Sequence, residues 1–143
     1  MSHKDETLTL VCTIVGCIGL VNIIILGINI TKYFLMLAQI LPSLLTEAII
    51  VTIATIISST MLLVGTYFIN KNHESGGGIL NIIAGLVTIS TYVYYANSWE
   101  VMFLTQIGVF GYIMLIPAPI SGILAILISK EKGMRTSIAE KKP

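Results

Sequence analysis

Between Thr7 and Ser129 the chain carries only five formally charged side chains, Lys32, Glu47, Lys71, Glu74 and Glu100. The remaining charges lie at its two ends, Lys4, Asp5 and Glu6 in front and Lys130, Glu131, Lys132, Arg135, Glu140, Lys141 and Lys142 behind. A water-soluble domain of this size cannot cover its surface with so few charges, so most of that surface is expected to face lipid. The 143 residues allow one domain, and a content of 55% hydrophobic and 10% charged residues lies far from soluble norms.

Four apolar runs are long enough to cross a bilayer, approximately Leu8–Ile30, Thr46–Ile69, Gly77–Tyr95 and Leu104–Ser129. Each approaches or exceeds the roughly 20 residues that a hydrocarbon core of about 30 Å requires. Backbone groups inside lipid must pair internally, so these runs are expected to be helices. The runs are continuous rather than alternating, which excludes a β-barrel. The expected fold is an all-α, polytopic membrane protein, a bundle of four transmembrane helices over residues 8–129. It would be flanked by an N-terminal tail, residues 1–7, and a basic tail, residues 130–143.

Lysine and arginine placement predicts the orientation. With four crossings, both tails and the loop near Lys71 share one side, which leaves Lys32 alone on the other. Both termini are therefore predicted to be cytoplasmic, in the cell membrane. Tyr33, Phe34, Tyr92, Tyr94, Tyr95, Trp99 and Phe103 cluster near the opposite interface, where amphipathic rings settle. The mixed charges of Met1–Glu6 and the length of the run behind them do not fit a cleavable signal, so the first helix is expected to remain as an anchor. Cys12 and Cys17 are five apart within that helix, point in different directions, and read as small packing residues.

The outer connection Thr31–Leu45 is apolar but too short to cross, and Pro42-Ser43 interrupts it. A helical extension or an interfacial helix is expected there, because a re-entrant loop needs more glycine. A short outer turn around Asn97-Ser98-Trp99-Glu100 is expected to join the third and fourth helices as antiparallel neighbours.

At 100° per residue each helix acquires two faces. On the first, Cys12, Gly16, Gly19 and Gly27 share one side with Asn22 and Asn29 flanking, opposite Ile14, Ile18, Val21, Ile25 and Ile28. On the third, Gly78, Asn81, Gly85, Thr88, Tyr92 and Tyr95 oppose Ile79, Ile83, Leu86 and Val93. The second repeats the pattern with Glu47, Ala54, Ser58 and Gly65, and the fourth with Ala118, Gly122, Ala125 and Ser129. Small residues let helices approach closely, and buried amides bond across them. Gly16, Gly19, Gly27, Gly78, Gly85, Gly122 and Ala125 are thus candidate packing residues. A water-filled path along Asn22, Asn29 and Asn81 is the alternative. Pro117 and Pro119 predict a kink or break in the fourth helix, since proline removes a backbone donor and crowds the preceding turn.

Glu47 most invites a functional role, because an intramembrane carboxylate often marks a proton or cation site. It follows Pro42-Ser43 closely, however, and in a first helical turn the dipole and interfacial water would accommodate it. His73 and Glu74 are too few ligands for a metal site, and Gly76-Gly77-Gly78 are expected to form a tight turn into the third helix.

The run Gly76-Gly77-Gly78-Ile79-Leu80-Asn81-Ile82-Ile83-Ala84-Gly85-Leu86 resembles the Gly/Ile-rich third helix of small four-helix membrane proteins of unknown function. His73 followed by three glycines also resembles a motif of a cation-antiporter accessory subunit, without its flanking Pro and Phe and after the second helix rather than the first. The size and helix count are similar to those of small multidrug-resistance exporters, whose first helix carries a Glu that is missing here. None of these resemblances transfers a site.

With no constellation of catalytic residues and no cofactor motif, a membrane enzyme ranks last. The expected function is a non-catalytic scaffold or accessory subunit of a membrane complex or homo-oligomer, with the lipid bilayer as its medium and no nucleic-acid partner. The alternative is a small oligomeric channel or transporter using Glu47 and the Asn-lined face.

Overall fold

The computed structural model describes residues 3–98, 111 and 113–140. Four helices account for nearly all of them: α1 (His3–Ala38), α2 (Leu44–Asn70), α3 (Glu74–Ser98) and α4 (Pro117–Glu140). A helical stretch at 113–115 and a turn at Ile116 precede α4. All four helices include a segment long and apolar enough to cross a membrane.

The helices form a closed ring in which α1 packs against α2 and α4, and α3 packs against the same two. The diagonal pair α1 and α3 barely touch. The bonds Thr31–Thr52, Glu47–Tyr95, Asn81–Ser121 and Glu74–Lys132 pair rising with falling residue numbers, so neighbouring helices are antiparallel and the start of α1, the α2–α3 turn and the end of α4 share one end of the bundle.

The faces follow the 100° pattern closely. Cys12, Gly16, Gly19 and Gly27 are buried on α1, while Ile14, Ile18, Val21, Ile25 and Ile28 are exposed. On α3, Gly78, Asn81, Gly85, Thr88, Tyr92 and Tyr95 are buried, and Ile79, Ile83, Leu86 and Val93 are exposed. The exterior is therefore mainly isoleucine and leucine, and the interior combines the small and polar residues with a core that includes Ile23, Phe34, Leu44, Leu62 and Leu115.

The structure bears on four expectations about boundaries. Of the two outcomes expected for the outer connection, the helical extension is found: α1 continues to Ala38, and at 36 residues it is about 54 Å long. Helix extends into both end segments, since α1 begins at His3 and α4 runs to Glu140. On α4 the charged side chains continue the helix, and Lys132 makes an ion pair with Glu74 at the start of α3. The three glycines do not form the inner turn. Asn72 does, with φ 64°, while His73 N–H bonds the Phe68 carbonyl at 2.9 Å and Asn72 N–H bonds that of Ile69 at 3.1 Å. This is a left-handed helix stop of the kind asparagine tolerates. It frees the glycines to sit inside α3 and pack. Lastly, α3 continues through Asn97 and Ser98, where an outer turn was expected. The remainder of that turn, Trp99 and Glu100, and the expected start of the fourth helix at Leu104 lie outside the described residues.

Candidate functional site

The polar residues of the interior do not line up into one site. Three separate bonded groups hold Asn81, Asn22 and Glu47, each joining helices, while the buried hydroxyls of Ser58 and Ser59 have no hydrogen-bond partner among the described residues.

The first group joins all four helices near the end that carries the α2–α3 turn. Asn81 is wholly buried and donates from Nδ2 to Ser121 Oγ at 3.0 Å and, more weakly, to Thr66 Oγ1 at 3.5 Å. Ser121 in turn donates to the Cys12 carbonyl at 3.0 Å. Glycines make the room. A Cβ on Gly16 would lie 2.5 Å from Thr66 Oγ1 and 3.0 Å from Ser121 Oγ, and one on Gly65 would collide with Asn81 Oδ1. That oxygen has no hydrogen-bond partner. The missing side chain of Gly65 leaves the space this oxygen occupies.

The second group surrounds the proline break. Pro117 and Pro119 have no N–H to offer the carbonyls of Ile113 and Leu115, so the regular ladder fails there. The Ile113 carbonyl accepts from Ile116 N–H at 3.3 Å, closing a tight turn. Asn22 crosses from α1 and donates to the Met114 carbonyl at 3.0 Å. The break is clasped by glycines on either side. A Cβ on Gly19 would lie 2.9 Å from Ala118 N, and one on Gly85 would lie 2.6 Å from the Pro119 ring.

At the opposite end, Tyr95 donates to Glu47 Oε2 at 2.7 Å. Glu47 stands in the first turn of α2, behind Pro42 and Ser43, and is partly exposed. Tyr95 is buried against the Phe34 ring at a centroid distance of 5.2 Å. Below it lies a void of about 10 Å³ lined by Thr55, Thr88, Thr91, Tyr92 and Tyr95 among others. That volume is near the minimum for a single water.

Asn29 joins none of these groups. It is exposed and makes no hydrogen bond to a described residue. It shares a helical face with Asn22, but its burial depends on what lies opposite, and the Asn22–Asn29–Asn81 row expected from the sequence does not form. Asn81 and Asn22 belong to different clusters. The threonines contribute no continuous polar lining either, because Thr55, Thr88 and Thr91 donate to the carbonyls four residues back on their own helices. Among the described residues no three His, Cys, Asp or Glu side chains converge to hold a metal.

No family model, no curated protein and no solved structure matches the chain. The functional reading therefore rests on the geometry alone.

Glycine packing is closest between α3 and its neighbours. A Cβ on Gly78 would lie 2.7 Å from the Gly122 carbonyl and 3.2 Å from the Ala125 methyl. Gly77 meets the Gly65 backbone and the Ile69 side chain in the same way. Gly27 packs directly on Thr55 of α2.

Three partners had not been singled out from sequence: Thr66, Ser121 and the Glu74–Lys132 pair. Ser121 and Thr66 each adjoin a glycine, Gly122 and Gly65, that already marked a packing face. A serine or threonine beside such a glycine was the available signal. Nothing local links Glu74 with Lys132, which are 58 residues apart.

Proposed function

We propose that this chain is a non-catalytic integral membrane protein that acts as a scaffold or accessory subunit, alone as an oligomer or within a larger membrane complex. Its four helices cross the cell membrane, and both termini lie on the cytoplasmic side. The exterior of exposed isoleucines and leucines and the basic residues at the terminal end support that placement.

One observation carries the non-catalytic reading. Asn22, Asn81 and Glu47 each hold another helix, and the void beneath the Glu47–Tyr95 pair has room for about one water. Uncharged polar groups used this way act as interhelical glue. A conduction path needs them facing a shared wet space. The carboxylate of Glu47 is held at a helix start, where the dipole favours its charge and water is near.

The test combines assembly and flux. After gentle extraction, native mass spectrometry is expected to give a homo-oligomer or a complex with another membrane protein. Proteoliposomes are expected to show no proton or cation flux above empty vesicles. A strictly monomeric protein argues against the scaffold role. A flux abolished by Glu47→Gln replaces it with the channel or transporter reading. An epitope tag at each terminus, accessible only from the cytoplasmic side, checks the orientation.

A further inference from the structure

An open groove of about 420 Å³ runs between α1 and α2 on the outside of the bundle. Its walls include Ile24, Gly27, Ile28 and Ile56, with Thr55 on the floor and Lys32 at one end. From Ile24 to Lys32 it extends along eight residues of helix, about 12 Å.

The groove looks more polar in sequence than it is in chemistry. Thr52, Thr55 and Thr60 all line it, and each donates its hydroxyl proton to a carbonyl of α2, those of Ala48, Val51 and Ile56, at 2.8 Å. With Thr52 already donating, Thr31 is the donor in the 3.2 Å contact between their two hydroxyls. These threonines keep no donor for an occupant. Among the described residues two donors remain at the groove, the Ser59 hydroxyl on its wall, which has no hydrogen-bond partner, and the Lys32 ammonium at its end, the only charged one.

Lys32 is the sole lysine or arginine between Thr7 and Asn70. Its side chain is exposed and makes no ion pair with a described residue. An isolated cation on an apolar helix is costly unless a counter-charge meets it or it reaches the interface. A mainly apolar channel that ends at an ammonium with no ion-pair partner among the described residues matches a molecule with a hydrocarbon chain and an anionic head.

We propose that this groove holds one acyl chain of an anionic phospholipid, with the lipid phosphate on Lys32 Nζ. The proposal rests on insertion of the helices in a bilayer and is independent of the scaffold role. A second copy of the chain would have to place a counter-charge or an acceptor at Lys32. The described outward face of the bundle is mainly apolar at this level, with Ile25, Ile28, Ile49 and Ile53 exposed.

The experiment uses purified, delipidated full-length protein titrated with phosphatidylglycerol or phosphatidylcholine and read by native mass spectrometry. The variants are Lys32→Gln, Ile56→Trp to fill the groove, and Lys71→Gln as a control. Lys71 is an exposed lysine beyond the other end of α2, over the Tyr67 ring. Wild type and Lys71→Gln are expected to bind one phosphatidylglycerol about five-fold more tightly than phosphatidylcholine, the increment of one lysine near a membrane surface. Lys32→Gln should abolish that preference, and Ile56→Trp should weaken both lipids. Equal binding of the two lipids by wild type overturns the proposal, as does an unchanged preference in Lys32→Gln. A lipid-free dimer that Ile56→Trp converts to monomer also overturns it and assigns the groove to a second copy. Resistance to alkaline extraction from membranes, measured on the same variants, separates failure of the lipid site from failure of insertion.

Discussion

Replacing Asn81 with alanine removes the hub through which α3 reaches α2 and α4, yet the change in stability from that single variant is ambiguous. The 3.0 Å bond to Ser121 is lost, at about 0.6 kcal/mol on average and up to about 1.7 for interhelical bonds in lipid. A buried cavity opens as well, which adds to the cost. Against this, the unpartnered Oδ1 disappears, and a buried acceptor without a partner costs about 1–3 kcal/mol. The two effects nearly cancel, so Asn81→Ala alone is expected to shift stability by no more than about 1 kcal/mol. A double-mutant cycle isolates the bond itself. Combining Asn81→Ala with Ser121→Ala should give a coupling energy of about 0.6–1.7 kcal/mol, because neither alanine can then exchange that proton. The Ser121 bond to the Cys12 carbonyl is lost whenever Ser121 is replaced and cancels from the cycle. Unfolding would be followed by helical signal in bicelles against added denaturing detergent. A coupling below about 0.3 kcal/mol, inside the additivity of independent sites, would refute the claim that this contact ties the helices.

Other perturbations discriminate between residues that look alike. Gly78→Ala presses a methyl onto the Gly122 carbonyl and should cost about 1–3 kcal/mol, whereas Gly76→Ala meets open space and should gain about 0.5–1 kcal/mol from helix propensity. Both are read in the same unfolding assay, and an equal response would sink the packing argument. Tyr95→Phe removes the bond to Glu47; because that carboxylate is partly exposed and water can replace the phenol, the loss should be about 1 kcal/mol. Glu74→Ala removes one partner of Lys132, but Lys132 keeps 23% exposure, so the cost should be about 1–2 kcal/mol rather than that of a fully buried broken pair. Raising salt should shrink the Glu74 effect and leave the Asn81–Ser121 coupling unchanged, since only the former is ionic.

The helix count, the outward isoleucine faces and the small-residue stripes could be read from spacing, because 100° per residue converts sequence directly into a face. Asn29 marks where that reasoning stops. It shares its helical face with Asn22, yet Asn22 meets the Met114 carbonyl and Asn29 is exposed. Periodicity specifies direction around one axis; it says nothing of what the neighbouring helix offers at that height. The glycine run fails for a related reason. Three glycines before an apolar helix suggest a turn, but Asn72 takes the left-handed position, and two of the three glycines serve as contacts with Gly65 and Gly122.

Composition and charge placement alone account for four long apolar helices, since a chain with five charges over its central stretch has nowhere to put a soluble surface. Pro42 likewise sets the start of α2 and so puts Glu47 in its first turn, because both effects act within a few residues of chain. Tertiary structure decided the pairings: Asn81 with Ser121, Asn22 with the Met114 carbonyl, Tyr95 with Glu47, and Glu74 with Lys132. Each joins residues 40 to 92 positions apart. A hydrogen bond requires two groups within about 3 Å, and only the relative height of packed helices determines which groups those are.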